Sequence, residues 1–97
     1  MPAAARTLDA TFQALAHPAR RAVVARLARG PAAVSELAAP FDMALPSFLE
    51  HVRALERAGL VRSRKAGRVR TLRLVPERLE RARGWLDEQR DLICKRS

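Results

Sequence analysis

Residues 61–75 carry six cations, Arg62, Arg64, Lys65, Arg68, Arg70 and Arg73, and no acid. On either side the charges nearly cancel: residues 1–60 hold seven cations and five anions, and residues 76–97 hold six and five. Six of the nine net positive charges of the chain therefore lie in one short stretch. Like charges so close repel one another in a folded hairpin, a cost that an anion laid along its flanks removes. A solvated edge kept from aggregating by its charges is the blander reading. Edge protection alone tolerates mixed signs, so phosphate contact is the better account. Seventeen of the nineteen cations are Arg, whose planar fork matches phosphate oxygens and guanine edges. Polyanions are the first partners to consider, although an Arg-rich genome gives the same bias.

Other chemistry is poorly supplied. With no Gly-rich phosphate loop, no nucleophile beside a local His and no paired carboxylates in a plausible pocket, an enzyme is excluded on inventory. The single Cys94 cannot form an internal disulfide, and one Cys with two His cannot close a four-ligand zinc site, so no metal and no cofactor is expected. Cys94 could cross-link a dimer as a redox switch if the last helices run together near a two-fold axis. His17 precedes Pro18, which suits helix capping or a loop hydrogen bond better than ligand binding. No apolar run approaches membrane-spanning length, and the Ala-rich N-terminus meets Arg6 and Asp9 before a signal h-region could form. A cytoplasmic protein without membrane contact is the expectation.

Ninety-seven residues are too few for two stable cores, and 48% hydrophobic residues are enough for one. The apolar spacing then gives the elements. Thr7 to Ala16 sets Leu8, Phe12 and Leu15 at helical intervals, with Thr7 as N-cap. Pro18 opens a second helix that reaches Arg29 and stops at Gly30-Pro31. Val34, Leu37 and Ala38 form a third of barely two turns, starting at Ser35 or, less well, Ala33, and ended by Pro40. A fourth runs over 46–58, with Phe48, Val52 and Leu55 on one side, Ser47, Glu50, Arg53, Ala54 and Arg57 on the other, and Ala58-Gly59 at its end. From Leu60 to Leu74 the period changes to two, with a turn signal at Ala66-Gly67, which predicts a β-hairpin. The helical period returns over 77–94, with Leu79, Ala82, Leu86 and Ile93 roughly on one face and Trp85 and Leu92 beside it.

The fold class expected is mainly α with a small β-hairpin: one domain over 1–97, a winged helix-turn-helix of five helices and a two-stranded wing. In that arrangement helix 46–58 enters the major groove of double-stranded DNA, the short helix braces it, and basic wing 61–74 lies along the backbone or minor groove. RNA is a poorer partner, because Phe12, Phe41, Phe48 and Trp85 are the only aromatics and none interleaves with the basic hairpin for base stacking. A groove face turned into a protein-docking surface stays open and is slightly favoured by Leu49 and Glu50. For Glu50, acceptance from a cytosine amino group stands beside a local pair with Arg53 or Arg57. For His51, a base contact stands beside a buried, hydrogen-bonded role.

The stretches Ala14-Leu-Ala-His-Pro-Ala-Arg-Arg21, Val34-Ser-Glu-Leu-Ala38, Leu45-Pro46, His51, Leu55-Glu56 and Ala58-Gly-Leu-Val61, in that order, resemble the ArsR/SmtB-type bacterial repressors from about residue 8 to 80. The resemblance implies a homodimeric transcription factor, pairing through first and last helices, that binds a palindromic, inverted-repeat operator and represses. It brings Ser47, Leu49, Glu50 and His51 toward bases. The DNA-facing set is completed by Pro46, Arg53 and Arg57 on the same helix and by Arg62, Arg64, Lys65, Arg68 and Arg70 on the wing. Residues 7–16 and 77–94 become dimerisation helices, with Leu8, Phe12, Leu15, Leu79, Trp85, Leu86 and Ile93 at the seam. One small domain does not easily bury that much apolar surface by itself.

Departures from the family pattern are equally specific. Ala33, Val34 and Ser35 stand where metal sensors carry a Cys-x-Cys type segment, and no His follows His51. The likeness is therefore to metal-independent members. Some of those are encoded beside small START-like lipid-binding-fold proteins, so an unknown effector or a START-like partner protein is the implied source of the signal. Leu49 stands where a polar Ser is common and Ala44 where a capping Ser or Thr is common, which changes the expected base contacts.

Overall fold

His17 separates the first two helices by capping the second. In the computed structural model, which describes residues 3–96 and the side chains of residues 7–95, its backbone is extended and its imidazole accepts from the Ala19 amide, while Pro18 occupies the first turn. Pro suits that position because an amide there would have no helical partner. Helix α1 spans Ala3–Leu15 and α2 Pro18–Leu27. Thr7 is not the start of α1: the helix begins one turn earlier, and the Thr7 carbonyl accepts from the Thr11 hydroxyl inside it. Alanines at 3–5 are strong helix formers, so the helix extends past the expected cap.

After Gly30-Pro31 come β1 (Ala32–Ala33), α3 (Val34–Ala38), α4 (Leu45–Arg57), the hairpin strands β2 (Val61–Ala66) and β3 (Val69–Leu74), and α5 (Pro76–Arg96). Helix α2 thus ends at Leu27 rather than Arg29. Ala33, not Ser35, is the residue before α3, and α5 continues past Cys94 to Arg96. The wing is larger than a hairpin. β1 pairs antiparallel with β3, giving a three-stranded sheet in the order β1-β3-β2. The tight turn is Gly67-Arg68 rather than Ala66-Gly67, since Ala66 pairs with Val69. Gly67, at φ +62°, takes the first central position of a two-residue loop, where a positive φ matches the twist of the strands.

Phe48, Val52 and Leu55 bury one face of α4 against Val23 and Leu27 of α2, Leu37 of α3 and Leu60, Val61 and Leu72 at the sheet root. The helical and strand periods therefore meet in a single core. Truncating Phe48, which is 1% exposed, to Ala would cost about 3–5 kcal/mol. Helix α4 ends in a Schellman motif, with the Gly59 amide donating to Glu56 and the Leu60 amide to Leu55. Gly59 sits at φ +76°, and a Cβ there would meet the Arg78 guanidinium at 3.0 Å. That guanidinium donates to the Ala58 carbonyl, fastening the start of α5 to the end of α4.

Candidate nucleic-acid interface

Burying Phe48, Val52 and Leu55 divides the rest of α4 into three sides. The side away from the body carries Pro46, Glu50, Arg53 and Arg57, all exposed. Glu50 is tied to Arg53 by an i,i+3 ion pair with both side chains more than half exposed, one of the two roles the sequence left open for it. The side toward α2 carries His51. Its Nδ1 accepts from Arg20 Nε at 3.2 Å, and its ring lies against His17 with centroids 4.2 Å apart. An accepting Nδ1 puts the proton of the neutral ring on Nε2. Desolvation, then the neighbouring His17 and Arg20, hold its pKa below the ordinary 6.5 against a smaller opposing pull from Glu50. His51 is thus a half-buried, hydrogen-bonded residue linking α4 to α2.

The third side faces the hairpin. Ser63 of β2 donates to Glu56 at 3.3 Å, and Arg70 of β3 donates to Ser63 at 3.2 Å, a chain that sets the wing's angle to the helix. Leu45 and Leu49 flank a cleft shared with Val34 and Ser35 of α3 and with Arg68, Val69 and Arg70 of the wing. Ser47, at the exposed start of α4, makes no side-chain cap; nor does Ala44, which precedes the helix in an extended conformation. The free amides of this first turn point out of the end next to the wing tip, where the helix dipole favours an anion.

Strand register sorts the wing cations by face. Arg62 lies directly opposite Arg73, and Arg64 opposite Thr71, on the outward face; Lys65 lies opposite Arg70 on the other, with Arg68 in the turn. Two directly opposed cation pairs in one small hairpin oppose folding, and none of these six side chains has an ion-pair partner among the described residues. The sequence shows the six as a cluster, but which of them oppose one another across the strands depended on the turn, which falls one residue later than Ala66-Gly67. Sequence reasoning also missed Arg20, Leu45 and Val69 beside the site. A basic residue one turn into a helix and an apolar one at a helix start carry no sequence signal by themselves.

Away from this surface, the Phe12 and Trp85 rings meet edge to face at 5.9 Å where α1 packs on α5. Phe12, Trp85, Leu86, Leu92 and Ile93 are exposed, whereas Leu8, Leu15 and Leu79 are half-buried, the last two against the core. Among the described residues no helix is long and apolar enough to cross a membrane, and no group of three or more His, Cys, Asp or Glu is placed to hold a metal ion.

A helix-turn-helix domain model matches residues 15–64. Over 82 residues the chain is 44% identical to the HTH-type transcriptional regulator Rv2034 of Mycobacterium tuberculosis, spanning 84% of this chain and 77% of that protein. Among solved structures it is similar to the ArsR family transcriptional regulator RHA00566, with 53% identity, a TM-score of 0.89 and 95% of each chain covered. It is also similar to an ArsR-like transcriptional regulator from Rhodococcus sp. RHA1, with 26% identity, a TM-score of 0.77 and 94% and 86% of the two chains covered. Coverage this broad takes in the wing as well as the helix pair.

Proposed function

Because the chain belongs to the ArsR family of helix-turn-helix transcriptional regulators, a class that binds DNA and is not enzymatic, we propose that it acts as a homodimeric repressor of an inverted-repeat operator. Each α4 reads the major groove, and each wing lies against the neighbouring backbone or minor groove. The observation that carries this reading is the joining of α4 to an acid-free basic hairpin through Arg70, Ser63 and Glu56. Phosphates along the hairpin relieve the opposed cation pairs, and the uncapped first turn of α4 offers further donors to the backbone.

Pairing rests on α1 and α5, whose exposed Phe12, Trp85, Leu86, Leu92 and Ile93 make an apolar surface suited to a two-fold seam. To enter successive major grooves, the two α4 helices of such a dimer would lie about 34 Å apart, one helical turn of duplex. Repression follows where such an operator overlaps a promoter. The signal that releases it is not expected to be a metal, and zinc, cadmium or arsenite titrated into the complex should leave affinity unchanged.

Two measurements test the proposal. A footprint upstream of the protein's own gene should protect an inverted repeat. Duplex DNA should bind better than single-stranded RNA at two salt concentrations, with the steep salt dependence of phosphate contacts. Preference for the RNA, or indifference to both, would sink the reading in favour of an RNA-binding or protein-docking wing.

A further inference from the structure

The cleft between α4 and the wing is lined by apolar and cationic side chains together. Its volume is about 330 Å³. Leu45, 55% exposed, and the half-buried Leu49 line it from α4, and Val69, 54% exposed, lines it from the wing. The other large exposed apolar side chains of the described residues, Phe12, Trp85, Leu86, Leu92 and Ile93, lie on α1 and α5. Leu45 and Val69 are therefore a separate patch, set in the most cationic part of the surface. Arg68 and Arg70 also line the cleft, and neither has an acid partner among the described residues.

A partner that satisfies both chemistries must bring phosphates to the arginines and an apolar group to Leu45, Leu49 and Val69. Duplex DNA presents one such group on its major-groove edge, the C5-methyl of thymine. Uracil lacks it, and the narrow major groove of an RNA duplex would hide the base edge in any case. Leu45 and Leu49 occupy the first two turns of α4, the part nearest the base pairs when a helix enters the groove by its N-terminal end. Neither side chain can donate or accept a hydrogen bond, so these positions discriminate by contact alone.

We propose that Leu45 and Leu49 read thymine methyl groups in each half-site, with Val69 excluding water from the wing side. The assignment rests on the reading of α4 as the DNA-binding helix and adds which base it selects. Excluding water from one methyl group is worth about a fourfold change in affinity.

The full-length protein would be used to select binders from a randomised DNA duplex, and each thymine of a selected half-site then replaced singly by deoxyuracil, which deletes only the methyl. One or two positions per half-site should weaken binding about fourfold, and the remaining thymines should show no change. Leu49→Ser and Leu49→Ala should bind the thymine and uracil forms equally at the position that Leu49 reads, while Leu49→Met keeps the discrimination there. Because Leu49 lies outside the buried face of α4, these variants should melt close to the wild type, which separates lost reading from lost folding.

Tight, sequence-selective binding that ignores uracil at every position overturns the methyl contact and leaves the DNA-binding reading intact. Discrimination that survives both Leu49→Ser and Leu45→Ser overturns the assignment to these residues. Failure to enrich any duplex overturns the DNA-binding reading and this proposal together.

Discussion

Arg20 donates from Nε to Nδ1 of His51 at 3.2 Å, joining residues thirty-one positions apart and tying the first turn of α2 to the middle of α4. This bond requires a neutral imidazole, because a protonated ring has no acceptor to offer. Protonation would also set a positive charge beside Arg20 and against the ring of His17, with only Glu50 to offset it. The folded pKa lies below 6.5, so between the two values the unfolded chain binds more protons than the folded one. The contribution to stability is complete above about pH 6.5 and is lost as the pH falls through the folded value. Thermal melts from pH 7.5 downward should show Tm dropping below pH 6.5. His51→Gln, which can still accept from Arg20, should flatten that part of the profile.

Gly59 takes a backbone conformation that a side chain resists. Gly59→Ala should cost about 1–2 kcal/mol from the left-handed backbone alone, read as a lower urea midpoint at unchanged slope. The Arg78 side chain can swing aside, so removing it should not rescue the variant. A Gly59→Ala, Arg78→Ala double variant as stable as the wild type would mean that crowding, not backbone strain, sets the requirement.

For the dimer, Leu86 at the exposed face of α5 is the position to challenge. Leu86→Glu should place two unpaired carboxylates at the seam and weaken association by at least about 3 kcal/mol, roughly a hundredfold or more. Sedimentation equilibrium at micromolar concentration should then report monomers, with operator binding lost although α4 and the wing are untouched. A wild-type monomer under the same conditions would remove the seam from the proposal.

Wing and helix substitutions should separate affinity from selectivity. Arg64→Ala or Arg68→Ala should weaken all duplexes alike and reduce the salt slope by about one unit per lost phosphate contact, or about two when both subunits change. Ser47 or Glu50 substitutions should shift preference at particular base pairs, by about 1–3 kcal/mol per lost contact. Binding curves across salt and across a panel of single-base variants distinguish the two; a reversed pattern would make the hairpin the reader.

Much of this molecule was legible because its elements keep one period at a time. Phe48, Val52 and Leu55 repeat as only a helix face does, and residues 61–74 alternate as only a strand pair does. β1 escaped notice because Ala32 and Ala33 are too few to show a period, and their pairing with Leu72 and Thr71 is a long-range contact. The same limit applies at the interface. Ser63 and Glu56 meet across a helix–strand corner, as Arg20 and His51 meet across two helices, and no local pattern reports either. The charge of the wing could be counted from the chain. Which cations lie directly opposite one another, Arg62 with Arg73 and Lys65 with Arg70, depended on a turn placed one residue later than Ala66-Gly67.

Ala33 belongs to two elements, closing β1 against Thr71 and preceding the first turn of α3. The root of the wing is consequently a shared joint. If the hairpin swings as a stiff arm, the start of α3 must swing with it, and the brace behind α4 shifts at the same stroke. Beyond the Arg64–Thr71 pair β1 no longer lies beside β3, so residues 65–70 form a two-stranded, six-residue finger whose base is geared to the helices.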